Sequence, residues 1–488
     1  MAFGLCAGAA LVPLWSVKYL PMVDLPQHAA LVSAWLHLGD PAYGFADQFE
    51  AHPFTPYVLT YLAAMGLAKG VGILCALKLL VTLGVLGLPL ATLRMTLRRG
   101  GDPWWALWAF PLAFGVSFYW GFVSYLLAAP LGVTLVDEGD SHARAPTPRS
   151  AAKVAVLAVA LFFTHLVVLA AAVAIVGALV LLRSRGVAQA LARLSPLGAP
   201  AALTAIWAVV AAGRDDRVAH WEWMLTWRRL TMLPEFLFGA PFPVNLSVPA
   251  IDDGAAMLAV VFATCLALAR PSPSRELSDW APALAVAAFF LLGPFSAFSA
   301  VLVADRFSLL ILPFTFTALR AGPDSPPRGA ARALGVVAIV AWMGVLALGF
   351  RAWNEREMAP FERISSLVGM NRSVSALVFD ASASNVNGTP ALMHVGGFIQ
   401  AEKGGVFAGN YGDLVNLPVQ YRPGKRPAGT PGVALDPTLF DWNVDGAADY
   451  FIVRSPVDPA ALFAKASAPV VLVARDSGWW LFRHLRGS

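Results

Sequence analysis

Apolar runs alternate with short polar breaks from the N-terminus to about residue 350, and there the pattern changes. The runs lie at 3–20, 57–93, 104–136, 154–182, 201–212, 252–269, 280–298, 301–319 and 333–350. A helix needs roughly 20 apolar residues to cross a bilayer. Residues 57–93 and 104–136 each hold enough for two crossings, so seven single runs and two double ones predict about eleven spans. In 57–93 the division is a turn at Lys69-Gly70, or else the run is one long kinked helix; in 104–136 it falls at Tyr119-Trp120-Gly121.

Two breaks are large. The first, 21–56, opens with Asp24-Leu25-Pro26, a cap-and-proline helix start. Leu31, Trp35 and Leu38 then recur at helical spacing, which predicts a short helix with one apolar stripe lying in the membrane interface. The second, 213–250, interleaves Arg214, Asp215, Asp216, Arg217, His220, Glu222, Arg228, Arg229 and Glu235 with Trp221, Trp223 and Trp227. With a cytoplasmic N-terminus and eleven spans, both large loops and the tail share the outer face. The basic breaks at Arg183–Arg193 and 320–332 then fall inside, as the positive-inside rule prefers. Arg94, Arg98 and Arg99 land outside in this count, which points to a wrong division of 57–93 or 104–136.

Residues 351–488 hold no spanning run. Strands are expected at 448–454, 469–475 and 478–483, the last two joined through Asp476-Ser477-Gly478, with a helix start at Asp458-Pro459. The fold class is therefore a polytopic α-helical membrane protein of about eleven spans (1–350) carrying a small C-terminal soluble α/β domain (351–488).

Composition agrees. Of the 488 residues 58% are hydrophobic and only 13% charged, and the mean hydropathy of +0.65 excludes an ordinary soluble protein, in which about a quarter of residues are charged. The 16 Trp and 30 Phe suit interfacial aromatic belts. A net charge of +5, scattered over short loops, offers no nucleic-acid patch. Cys6, Cys75 and Cys265 lie in separate apolar segments and predict neither disulfides nor a thiolate metal site. The first run lacks a basic n-region and reads as a span, not a cleaved signal.

Ionisable residues at the border of a multi-span protein are functional candidates by default, and the first loop concentrates them. Asp24 is the foremost: a carboxylate there can deprotonate a hydroxyl acceptor or hold a divalent metal, while the bland alternative is a helix cap. His28 follows one turn later and can face the same cavity. His52, before Pro53, offers a second base or, with Asp24, a metal ligand; Glu50 and Asp47 rank below it. No motif of familiar metal spacing is present, so a divalent ion is possible chemistry without a signature. His165, inside an apolar run, needs a partner and is either a helix-to-helix bond or a pocket residue. Arg306 in A-D-R-F suits a phosphate, with a salt bridge to its neighbour or snorkelling as the alternative. Glu222, Arg228 and Arg229 suit sugar hydroxyls and lipid phosphate, with Trp221 or Trp223 stacking on a ring. In the tail, His394, Asn410, Tyr411 and Asp413 read as surface groups near turns.

An acidic residue just after the first span, a large first loop with a short helix, and H-P-F-T-P-Y leading into the next run resemble the multi-span C-type glycosyltransferases. That group includes the protein mannosyltransferases and the lipid A aminoarabinose transferases. The resemblance implies a bacterial inner-membrane enzyme that takes a sugar from a polyprenyl-phosphate carrier to a lipid, glycan or protein acceptor on the outer face, with an extracytoplasmic tail. It places the proposed base or metal-linked role on Asp24, sets His52 beside the pocket and gives Arg306 the donor phosphate. Many members carry D-E or D-D in this loop, whereas here Asp24 is followed by Leu25-Pro26-Gln27-His28. The competing readings are a transporter, which requires broken spans and ionisable groups near the midplane, and a non-catalytic subunit of a polysaccharide assembly system.

Overall fold

The computed structural model describes residues 1–212, 221–223, 226–239, 249–297, 300–321, 326–380, 383, 385–386, 389–466 and 468–485. Arg214, Asp215, Asp216, Arg217 and His220 lie outside the described residues. The protein is a multi-span α-helical membrane protein with a strand-containing C-terminal region. Among the described residues, four helices are long and apolar enough to cross a membrane by length and composition: Ile73–Arg98, Leu166–Arg183, Val187–Ala212 and Pro326–Ser365. Shorter apolar helices occupy Ala2–Trp15 (α1), Val58–Val71, Gly254–Ala269 and Leu277–Leu292.

Four such helices, against about eleven expected, reflect where the apolar runs break. The 57–93 run divides at Gly72, whose φ of +79° ends one helix and starts the next. Residues 103–119 form only a 3-10 helix (Pro103–Trp108) and two single turns. The helix after them, Val123–Arg144, absorbs the polar segment expected to be a loop and carries Asp137, Glu138 and Asp140 in its last turns. The 301–319 run condenses to the nine-residue Ser308–Phe316.

Close glycine contacts fix how the long helices run. A Cβ on Gly84 would lie 2.8 Å from the Leu126 carbonyl and one on Gly87 3.2 Å from Pro130, and further along Arg94 pairs with Glu138. Ile73–Arg98 and Val123–Arg144 are therefore parallel. Gly132 meets Val168 and Gly139 meets Val176, so Leu166–Arg183 runs parallel to both. All three end at an ion cluster. There Arg98 reaches Asp137 at 2.7 Å, Arg99 and Arg183 reach Asp140 at 3.1 and 2.7 Å, and Arg328 holds Asp102 at 3.0 Å. This resolves the charge anomaly of the hydropathy reading: Arg94, Arg98 and Arg99 sit at the same end as Arg183, because 57–93 contributes only one helix in this direction.

The first-loop helix, Leu25–Leu36 (α2), differs from expectation. It is not an interface helix with one apolar stripe; nine of its twelve side chains are buried, because the tail covers its second face. Gly397 in the tail helix Gly396–Lys403 comes so near that a Cβ would meet the Pro26 carbonyl at 2.5 Å, and the Ser33 hydroxyl donates to the Ala401 carbonyl at 2.8 Å. The strand Phe49–Ala51 of the same loop pairs antiparallel with Val419–Tyr421. Loop and tail form one packed unit.

The tail sheet runs in the order Val470–Asp476, Trp479–His484, Tyr450–Arg454, Val374–Val378. Its hairpin turns on Ser477-Gly478, both at positive φ, as the sequence indicates. The fourth strand, parallel to Tyr450–Arg454, is an addition. The change of composition near residue 350 falls inside a continuous helix, since Pro326–Trp353 passes through a π-turn at Asn354–Met358 into Ala359–Ser365. That turn anchors the sheet: Arg454 bonds the buried Glu357 at 2.8 Å, and the Trp479 indole donates to the Glu357 carbonyl at 3.0 Å.

Candidate active site

Between the tail and the helix ends remote from the ion cluster lies a cavity of about 870 Å³. The helical part contributes Asp24, His28, Tyr57, Tyr125, His165 and Arg306 to its wall, and the tail contributes His394, Asn410 and Tyr411.

Asp24 stands at the N-cap of α2, yet its side chain makes no cap bond. It turns into the cavity and accepts a hydrogen bond from the Tyr411 hydroxyl at 3.0 Å. The Nε2 of His394 lies 2.9 Å from that hydroxyl and 3.6 Å from the carboxylate oxygen. With Tyr411 donating to Asp24, His394 carries its proton on Nε2; with Asp24 protonated, the chain reverses. The backbone is held by Gly121, at φ +80°, where a Cβ would lie 2.6 Å from the Asp24 nitrogen. That nitrogen donates to the Trp120 carbonyl at 3.1 Å. Only glycine fits so close an approach at that backbone angle.

Burial pushes the Asp24 carboxyl up to about 7, against the opposing Tyr411 hydrogen bond and the Arg306 charge. Burial likewise pulls His394 down to about 3 and His28 to about 4, so both imidazoles are neutral near pH 7. The Tyr411 phenol is raised well above its ordinary value by burial and by Asp24 and stays protonated. His28 Nδ1 shares a hydrogen bond with the Tyr61 hydroxyl at 2.9 Å.

Arg306 enters from the 3-10 turn Asp305–Phe307. It is not paired to its neighbour. Asp305 is taken by Arg229 at 2.7 Å, both side chains fully buried, and Arg306 turns the other way. One of its amino groups donates to the Val301 carbonyl at 2.7 Å, and the guanidinium sits 3.6 Å above the Phe122 ring. Its Nε has no hydrogen-bond partner among the described residues. His165 is the single extended residue between helices Pro148–Thr164 and Leu166–Arg183. It meets Tyr57 and Tyr125 edge-on at 4.9 and 5.2 Å, and its Nδ1 is likewise without a partner among the described residues. It lines the cavity.

No protein-family model and no curated protein matches the chain. Solved structures do. The crystal structure of ArnT from Cupriavidus metallidurans in the apo state superposes with a TM-score of 0.54 at 14% identity, covering 98% of this chain and 96% of that one. The same protein bound to undecaprenyl phosphate gives 0.53 at 12%, covering 98% and 97%. The chain shares the fold of ArnT. The likeness is one of fold, and it extends over the whole chain.

Other candidates lie elsewhere. His52 and Glu50 pair with each other at 3.0 Å on the strand beside Val419–Tyr421 and do not line the cavity. Asp47 is exposed in a 3-10 turn. Among the described residues no three His, Cys, Asp or Glu side chains converge as metal ligands, and Asp24 and His52 are not assembled into a shared site. The residues present do not fit the metal considered for them. Trp221 stacks on Trp223 with both exposed, Glu222 accepts from the Ser296 hydroxyl at 3.1 Å, and Trp221, Glu222 and Arg228 are absent from the cavity wall. Arg229 is a buried ion-pair residue, not a ligand-facing one.

The residues that sequence reasoning set aside are the tail groups. His394, Asn410 and Tyr411 are not on the surface; they are carried against Asp24 by α2 itself. Gln27 spends both ends of its amide there, donating to the Gly409 carbonyl at 2.6 Å and accepting from the Tyr411 backbone at 3.1 Å. The one available signal was glycine: Gly396 and Gly397 follow His394, and Gly409 and Gly412 flank Asn410-Tyr411.

Tyr411→Phe removes a bond that favours the Asp24 carboxylate. We expect the Asp24 titration, followed by its infrared carboxyl band with Asp24→Asn as reference, to move up by about one pH unit, roughly 1.4 kcal/mol. An unmoved band would mean that Tyr411 does not hold Asp24.

Proposed function

We propose that the protein is a membrane glycosyltransferase that moves a sugar from a polyprenyl-phosphate carrier to a hydroxyl acceptor. The observation that carries this reading is that Asp24 and Arg306 face one cavity roofed by the tail. The ArnT fold, seen in one case with undecaprenyl phosphate bound, supports it.

In this mechanism Arg306 holds the carrier phosphate and Asp24 takes the acceptor proton. The acceptor oxygen bonds to the anomeric carbon as the bond from that carbon to the phosphate oxygen breaks. The sugar is inverted, and polyprenyl phosphate leaves with its negative charge neutralised by Arg306. Tyr411 and His394 hold the carboxylate and accept redistribution of its proton. His28 and His165, both neutral or aromatic-caged, shape the sugar subsite.

Topologically, the proposal restores eleven traversals. Direction supports this: short segments such as 103–119 and Ser308–Phe316 connect the ion-cluster end to the cavity end, and in the proposed topology they count as crossings although they fall short of span length. In this arrangement the ion cluster is cytoplasmic, and the cavity and residues 351–488 are on the outer face of a bacterial inner membrane. The acceptor class remains lipid, glycan or protein.

The test is binding of undecaprenyl phosphate to the full chain in nanodiscs, comparing Arg306→Gln with the unchanged protein. Loss of a charge-assisted phosphate contact of about 1.5–3 kcal/mol predicts at least a tenfold weaker complex. Equal binding by both would remove Arg306 from the donor site, and no binding by either would end the reading.

A further inference from the structure

We infer that a second cavity, at the C-terminal end of α2, binds the phosphate headgroup of a membrane lipid. The site is separate from the Asp24 cavity, and the inference does not depend on the proposed transfer reaction.

This cavity measures about 760 Å³ and lies where the end of α1, the end of α2 and the corner between Val58–Val71 and Ile73–Arg98 meet the tail residues Phe398 and Glu402. Its depth follows from the helix directions. The Gly72 corner starts a helix that runs parallel to Val123–Arg144 toward the ion cluster, so the corner lies at the cavity end, where a headgroup layer meets apolar helix surface. Trp15 and Val71, both on the cavity wall, are 42% and 49% exposed. They offer an apolar face continuous with the outside of the helices, as an acyl chain requires.

The polar part is cationic. Lys78 lies on the wall, only 8% exposed, and its ammonium donates to the Val17 carbonyl at 2.7 Å and stands 4.8 Å from the Trp15 ring. A lysine ammonium has three donors, so one carbonyl leaves it under-used. A snorkelling lysine reaches out to bulk water, whereas Lys78 is buried and faces this cavity. Lys69 also lines the cavity, and Lys18 is spent on Glu362 at 2.5 Å. Glu402 also lies on the wall, but among the described residues no ion pair joins it to Lys69 or Lys78. A buried ammonium without a counter-charge is costly. A phosphate placed between Lys69 and Lys78 supplies that charge, and lysine serves phosphate as a point cation. The apolar wall argues for a lipid over free phosphate.

The experiment is native mass spectrometry of the full chain in neutral detergent, titrated with dioctanoyl phosphatidic acid. Dioctanoylglycerol, which lacks the phosphate, and inorganic phosphate, which lacks the chains, serve as competitors. We expect one saturable phosphatidic acid, weakened about tenfold or more in Lys78→Met and in Lys69→Gln and retained in Lys78→Arg. That is a loss of roughly 1.4 kcal/mol. Neither competitor should displace it at equal concentration. Lys69 is exposed, so Lys69→Gln keeps the test decisive should Lys78→Met fail to fold. Arg306→Gln should leave this binding unchanged, which separates failure here from failure of the donor site. Equal binding by the lysine variants, or displacement by dioctanoylglycerol, overturns the inference. Displacement by inorganic phosphate overturns the lipid assignment.

Discussion

Asp24→Asn should reduce transfer roughly 10²- to 10⁴-fold, the range expected for loss of a positioned general base, while the protein remains folded. Asparagine keeps the shape and accepts the Tyr411 hydrogen bond, but it cannot take a proton. The pH dependence should identify the same group. With Asp24 pushed up to about 7 by burial, the carboxylate becomes available as pH rises through that value. The acid limb of kcat/KM should therefore lie near pH 7 and not near 4. The stability effect has the opposite sign. A carboxyl raised in the folded state binds its proton more tightly there than in the unfolded chain. Stability is thus greatest below about pH 4 for this group and falls as pH rises from about 4 to 7. Asp24→Asn should remove that loss and stabilise the protein at pH 8 by about 2–4 kcal/mol, measured by thermal unfolding in detergent at pH 5 and pH 8. A variant that loses activity and also loses stability at pH 8 would mark Asp24 as a structural residue. That gain in stability with loss of function is the usual trade at an active site.

The two halves of the site were unequally legible. Asp24, His28, His165 and Arg306 stand out in the sequence because each is an ionisable residue in or beside an apolar run, where a charge has to be explained. Tyr411 and His394 lie in a polar tail, where such residues are ordinary. Only the packing of Gly397 on Pro26 and the double hydrogen bond of Gln27 bring them to Asp24, and no local pattern encodes a contact spanning 387 positions. His52 failed for the converse reason. It is near the cavity residue Tyr57 in sequence, but the strand Phe49–Ala51 is drawn to Val419–Tyr421 and takes Glu50 and His52 with it. Span counting met a similar limit. Hydropathy measures apolar length, whereas Gly72, His165 and the broken segment 103–119 interrupt helices without interrupting apolarity. The tail hairpin, set by alternation and a turn at Ser477-Gly478, was readable because its contacts are local.

Arg229→Met should destabilise the protein by about 3–5 kcal/mol, the cost of stripping a buried carboxylate of its partner. Arg229 and Asp305 are both fully buried and 2.7 Å apart. Arg229 also donates to the Gly293 carbonyl at 2.7 Å, so it ties the end of helix Leu277–Leu292 to the turn that carries Arg306. Because Asp305 and Arg306 are adjacent, one turn has two arginine-dependent duties, and the first decides the second. While Asp305 is held by Arg229, Arg306 is left to face the cavity; with Arg229 gone, Arg306 is the nearest cation available to Asp305. Arg229→Met should therefore weaken undecaprenyl phosphate binding although Arg229 is outside the cavity wall. The double variant Arg229→Met with Asp305→Leu removes the orphaned charge and should recover most of the stability, since replacing both members of a buried pair by apolar residues is often neutral. It should recover binding as well. Thermal unfolding and lipid binding on the two single variants and the double one complete the cycle. If the cost of the double variant equals the sum of the two singles, the pair has no coupling and Arg306 owes its orientation to Phe122 and Val301 alone.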